Sequence, residues 1–151
     1  LEGTMICSVH LDSNIRLWDS RSSDKPTDVL ENIHSKQITS VSLGPDGKTV
    51  LTCSRDNTLK LIDLKMNETL KTFQHPTFRT ETNWNRACLS PDGAMAIGGS
   101  SNGSVYIWDT TNGQLKTILE GKHQRAINAM GWSNQGEVCS ADRSGVIAIW
   151  K

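Results

Sequence analysis

Apolar and polar side chains alternate along short stretches of this chain, with the period of two that marks a half-buried strand. Ile38-Thr-Ser-Val-Ser-Leu43 is one such stretch. The turn that follows carries Asp46-Gly47, a strong hairpin signal, and Thr49 to Ser54 reads as a second strand. Arg55-Asp56-Asn57 forms the next turn and leads into Leu59-Lys-Leu-Ile62. Asn67 opens a further turn before a fourth strand, Leu70-Lys-Thr-Phe73. Arg16 and Lys60 alternate with apolar neighbours and are expected to point outward.

This unit recurs. Asn14-Ile-Arg-Leu-Trp18-Asp19, Thr58-Leu-Lys-Leu-Ile62-Asp63, Ser104-Val-Tyr-Ile-Trp108-Asp109 and Val146-Ile-Ala-Ile-Trp150-Lys151 end alike, at intervals of 44, 46 and 42 residues. Pro45-Asp-Gly47, Pro91-Asp-Gly93 and the degenerate Asn134-Gln-Gly136 recur with them, as do the polar turns led by Asp12, Asp56, Asn102 and Asp142. Four short strands at a period near 44 make one blade of a β-propeller. The expected fold is all-β, with residues 1–151 forming a partial propeller whose blades end near Trp18, Ile62, Trp108 and Trp150. The first unit lacks its first strand and the last stops at its third, so about three and a half blades are present. Propellers close with typically about four to eight, and an open stack exposes strand edges. The chain is therefore expected to be a piece of a longer propeller, with a missing start suggested by Leu1.

Register and repetition of this kind identify the chain as similar to the WD-repeat family. That resemblance implies a blade lock in which the strand-end Trp and Asp, a strand Ser or Thr and an upstream His hydrogen-bond together. Trp18, Asp56, Trp108, His123, Ser140, Asp142 and Trp150 are assigned to structure on that basis. The second unit offers His34, Ser54 and Asp56, with Ile62 in place of Trp, which removes the indole donor. The third has no obvious His, since His75 lies well upstream. In the last, Asp142 stands eight residues before Trp150 rather than six.

Four further stretches carry a closer resemblance. They are Thr52 to Lys65 with its Ile62, Phe78-Arg-Thr-Glu-Thr-Asn-Trp-Asn-Arg86, the run Ser90 to Gly93 followed by Gly99 to Trp108, and His123 to Trp132. Together they resemble the C-terminal propeller of the autophagy-related protein 16 family. The resemblance implies a scaffold, cytoplasmic and recruited to the forming autophagosome membrane, with no cofactor. Its implied partners are an autophagy conjugation complex, receptors and membrane-associated adaptors. In such propellers the residue before each turn Asp and those starting each first strand meet partners. By register these are Leu11, Arg55 and Ser101, then Gln37, Thr39, Asn83, Asn85, Arg125 and Asn128. Trp84, in register with Ile38 and Ile127, is expected in the core.

Composition narrows the function classes further. Lys plus Arg and Asp plus Glu number 16 each, so no overall field favours nucleic acid or anionic lipid. Hydrophobic residues at 36% and charged residues at 21% fit a folded chain without a bilayer-length apolar run. Cys7, Cys53, Cys88 and Cys139 form no CxxC pair and read as buried, reduced thiols, not zinc ligands. His10, His34, His75 and His123 fall in different blades, and no HExxH occurs, so no enzyme is expected. Gly98-Gly-Ser-Ser-Asn-Gly103 looks like a phosphate cradle but lacks the Lys-Ser/Thr and the helix that one needs. The sequons at Asn67 and Asn102 matter only in a secreted chain. One alternative remains: Trp18-Asp-Ser-Arg21 is similar to the pattern with which WD-repeat substrate receptors of cullin-type ubiquitin ligases grip their adaptor.

Overall fold

The computed structural model describes residues 4–22 and 24–151; Leu1 lies outside the described residues. Fourteen strands form among them, with no helix. β1 (Met5–Val9), β2 (Ile15–Asp19) and β3 (Asp28–Leu30) make the first blade. The second comprises β4 (Ile38–Leu43), β5 (Thr49–Ser54), β6 (Thr58–Asp63) and β7 (Glu68–Phe73). The third comprises β8 (Ala87–Leu89), β9 (Met95–Gly99), β10 (Val105–Asp109) and β11 (Leu115–Leu119). The fourth comprises β12 (Ile127–Trp132), β13 (Val138–Asp142) and β14 (Ile147–Trp150). Each sheet is antiparallel in chain order, and the four sheets form an open arc of a β-propeller. Neighbouring blades meet through their first strands, β4 against β8 and β8 against β12.

Alternation along each strand sends one set of side chains to each face, and blades pack face to face. The core is therefore divided among the seams. Ile15, Leu17, Ile38, Val50 and Ile62 fill the first seam. Leu51, Leu59, Phe73, Phe78 and Trp108 fill the second, and Ile97, Val105, Ile107, Ile127 and Val138 the third. The outer faces of the first and last sheets are uncovered, leaving Ile6, Ile147 and Ile149 more than half exposed. Cys139 is exposed on β13 for the same reason, which corrects the expectation that all four thiols are buried. Cys53, fully buried, has its thiol pushed up to about 12 by desolvation.

Gly98 and Gly99 belong to strand β9, not to a loop around an anion. A Cβ on Gly99 would meet Ile127 Cγ2 at 2.7 Å, so close blade-to-blade approach requires the glycine. Gly103 is needed twice over: its φ is +88°, and a Cβ there would meet the His123 carbonyl oxygen at 2.8 Å. The first strands β4 and β12 each carry a bulge, at Thr39 and Asn128 respectively. A bulge re-aims the side chain it displaces, and both residues lie near the blade end that carries the polar turns.

Candidate interaction face

Because successive strands are antiparallel, the turns between β1 and β2, β5 and β6, β9 and β10, and β13 and β14 all emerge at one end of the arc. Polar locks hold that end in place. In the fourth blade Trp150 Nε1 donates to Ser140 Oγ at 2.8 Å, and Ser140 Oγ lies 2.7 Å from His123 Nε2. His123 Nδ1 sits 3.1 Å from Asp142 Oδ2, so that nitrogen carries the proton. The hydroxyl of Ser144, with support from the Val146 amide and from His123, outweighs desolvation and holds Asp142 at about 2. The second blade repeats the arrangement: His34 reaches Asp56 at 2.9 Å and Thr52 Oγ1 at 2.8 Å. Thr52, ten residues before Ile62, takes the strand-hydroxyl position, and Ser54 does not; its Oγ donates to the Lys36 carbonyl instead. Burial alone would raise the Asp56 carboxyl, but hydrogen bonds from His34, Thr58 and Ser35 hold it well below the usual carboxylate range. In the first blade Trp18 donates to Ser8 Oγ at 2.7 Å, and His10, from the turn, stands in for an upstream His at 2.8 Å from the same oxygen.

The third blade has exchanged this polar lock for an aromatic one. Gly98, ten residues before Trp108, stands where Ser8, Thr52 and Ser140 supply a hydroxyl. Trp108 Nε1 is accordingly buried with no hydrogen-bond partner among the described residues. Phe78 takes the place of the lock His, with its ring 3.1 Å from where a Gly98 Cβ would sit. It meets Trp108 edge-on at a centroid distance of 5.2 Å, and Tyr106 at 5.2 Å as well. The Tyr106 hydroxyl replaces the missing polar link, accepting from Asn102 Nδ2 at 3.0 Å and lying 2.8 Å from Thr77 Oγ1.

Three adjoining depressions at the turn end bring the remaining residues together. Leu11, Ser13, Lys36, Gln37 and Arg55 line one. A second is lined by Arg55, Glu81, Thr82, Asn83, Trp84, Asn128 and Arg143. Ser101 and Arg125 lie in the third, with Glu81, Thr82 and Arg143 again among its walls. Shared residues make the three one continuous surface drawn from all four blades. Leu11 is 65% exposed on it.

Two assignments from register are corrected here. Asn85 is fully buried and ties the third blade to the fourth, donating from Nδ2 to the carbonyls of Gly99 and Ile127. The hydroxyl of Thr39 turns into the second seam, 3.2 Å from the Cys53 carbonyl and 3.0 Å from that of Asn85, and Arg86 takes the Thr39 carbonyl. Trp84 is the opposite case: expected in the core, it is 65% exposed. β8 begins only at Ala87, so the residues before it leave the ladder and the Asn85 amide fills the interior place instead of the indole. Alignment on the turn acids misses Arg143, because Asp142 stands eight residues before Trp150 and not six. Counting seven residues back from each Trp-like position gives Leu11, Arg55, Ser101 and Arg143.

No group of three or more His, Cys, Asp or Glu residues that could hold a metal ion occurs among the described residues. No helix among them is long and apolar enough to cross a membrane.

Comparison with known proteins agrees with this architecture. A crystal structure of the WD40 β-propeller domain of Doa1 superposes with a TM-score of 0.83 at 20% identity, covering 98% of this chain and 47% of that one. Protein Atg16l2 of Mus musculus is 40% identical over 97% of this chain and 23% of its own length. Autophagy-related protein 16 of Arabidopsis thaliana is 34% identical over 99% of this chain and 29% of its own length. The chain thus spans roughly a quarter of the curated relatives it resembles. The family model for the WD domain, G-beta repeat, matches residues 25–63 and 68–109, each match running from the last strand of one blade through the first three strands of the next, β3 to β6 and β7 to β10. With that match over more than half its length, and with hydrogen-bonded locks at the blade ends, the chain belongs to the WD-repeat family and forms part of a β-propeller like those of the autophagy-related protein 16 group.

Proposed function

We propose that the chain is a non-enzymatic docking module within an autophagy-related protein 16-like scaffold. In this reading it helps place the ubiquitin-like lipid-conjugation machinery at the forming autophagosome membrane, to which receptors or membrane-associated adaptors recruit it from the cytoplasm. One observation carries the reading: the continuous surface to which all four blades contribute Leu11, Gln37, Arg55, Asn83, Ser101, Arg125, Asn128 and Arg143. Propellers fix such loops on rigid sheets, so binding there is preorganised. The buried histidines are spent on the locks: each sits between a carboxylate and a hydroxyl in the blade interior, out of reach of a substrate. In the alternative, a cullin-adaptor grip at Trp18 to Arg21, the reaching group would be Arg21. Its guanidinium is instead folded back onto Asp19 through Nε at 3.0 Å and Nη2 at 2.9 Å.

The test is affinity capture with the full-length protein, wild type beside a Leu11→Asp/Gln37→Ala variant. Recovery of autophagy-conjugation proteins and receptors with the wild type and their loss from the variant is the expected result. Retention of the same partners by the variant overturns the face. Capture of a cullin adaptor in place of an autophagy module overturns the scaffold reading.

A further inference from the structure

Resting on the reading of the turn end as a docking face, we propose that Trp84, Arg55 and Arg143 form a subsite for an acidic segment of a partner protein, with the indole as its apolar anchor and the two guanidiniums as its carboxylate clamps. The loop that carries Trp84 departs from the repeat. Residues 74–86 connect β7 to β8 with thirteen residues, whereas 31–37 and 120–126 make the equivalent connections with seven. The extra length is not slack. Asn85 Oδ1 accepts from the Thr82 amide at 3.2 Å and the Thr82 hydroxyl at 2.9 Å, while its Nδ2 is anchored in the next blade. The Glu81 amide donates to Ser101 Oγ at 2.8 Å. The loop is held at both sides of Trp84, and the side chain it presents is a large aromatic left 65% in water. Rigid exposed aromatics of this kind are the usual anchors of protein interfaces, because they lose little conformational entropy on binding.

Charge around the indole selects the partner. Arg55 and Arg143 line the same depression as Trp84, and Arg125 lines the depression beside it. The chain's other arginines are engaged: Arg16 with Asp12, Arg21 with Asp19, Arg79 with the Phe78 carbonyl and Arg86 with the Thr39 carbonyl. No side-chain hydrogen bond or ion pair engages Arg55, Arg125 or Arg143 among the described residues. Three guanidiniums with open forks, opposed only by Glu81 in those walls, suit carboxylates, which a planar fork grips in two-point fashion. Asn128 lines the same depression. Polar walls of Thr82, Asn83 and Asn128 favour a peptide, with its own donors and acceptors, over a lipid surface.

A random dodecapeptide library selected on the full-length protein tests this. The expected winners combine Asp or Glu with an aromatic or aliphatic residue, and they bind Trp84→Ala and Arg143→Glu at least about tenfold more weakly, with melting temperature unchanged. Winners without acidic residues, winners that bind both variants as tightly as wild type, or an empty selection overturn the proposal. So does Trp84-dependent binding to phosphatidylserine vesicles without peptide binding, which would assign the patch to a membrane. Failure here is separable from failure of the docking face. If the face is right and the subsite wrong, the Leu11→Asp/Gln37→Ala variant loses its captured partners while Trp84→Ala and Arg143→Glu keep them.

Discussion

Replacing Trp108 with phenylalanine should cost the fold less than the same change at Trp150, although Trp108 is the more deeply buried of the two. Trp108 Nε1 has no partner among the described residues, because Gly98 supplies no hydroxyl. Shrinking its ring opens a small cavity, worth about 1–2 kcal/mol by analogy with other core truncations. Removing a buried, unpaired donor returns about 1–3 kcal/mol, so the two effects nearly cancel. Trp150 is different. Its N–H donates to Ser140, and Lys122 Nζ lies 4.5 Å from its ring centroid. Phenylalanine there forfeits the hydrogen bond, about 1 kcal/mol, and weakens the cation–π contact, about 0.5–1 kcal/mol where exposed. Hydrogen exchange of the β10 and β14 amides in the full-length protein reads each blade separately. Protection in β14 should fall on Trp150→Phe by more than protection in β10 falls on Trp108→Phe. Equal or greater loss in β10 would refute the view that the third blade has given up its polar lock. Trp108→Ala is the control. It empties the cluster with Phe73, Phe78 and Tyr106 and should cost about 3–5 kcal/mol.

Further predictions rest on the same interiors. Gly98→Ser alone should lower the melting temperature, because its Cβ meets Leu59 Cδ1 at 3.0 Å and Phe78 at 3.1 Å; adding Phe78→His should recover part of the loss by rebuilding the His–Ser–Trp lock. The Asp142 carboxyl lies at about 2, below its ordinary 3.8, so its contribution is full above the ordinary value and is lost as pH falls through 4 towards 2. Melting temperatures measured between pH 5 and pH 2 should drop over that window, and Asp142→Asn should flatten the drop. A thiol reagent at pH 8 should label Cys53 only after unfolding, because the thiol is fully buried and pushed up to about 12.

Much of this molecule is legible in its sequence. Alternation over Ile38 to Leu43, the Asp-Gly turns and the recurrent Trp-Asp ends are local signals, and strand, hairpin and blade are local structures. Their period determines the fold class because an isolated blade cannot bury both faces and must stack on its neighbours. His34 and His123, with their acids, follow the same repetition. Departures from the repeat were decided by tertiary contact. Gly98 and Phe78 each look unremarkable alone; only the seam shows that one vacates the space that the other fills. Asn85 and Trp84 are adjacent, and strand alternation cannot say which goes inside once the ladder has stopped. The carbonyls of Gly99 and Ile127, presented by two different blades, bind an amide and leave the indole outside. Charge pairing is equally a matter of space. Seven arginines are equivalent on paper, and the fold ties Arg16, Arg21, Arg79 and Arg86 to acceptors while setting Arg55, Arg125 and Arg143 around the one loop whose tryptophan faces water.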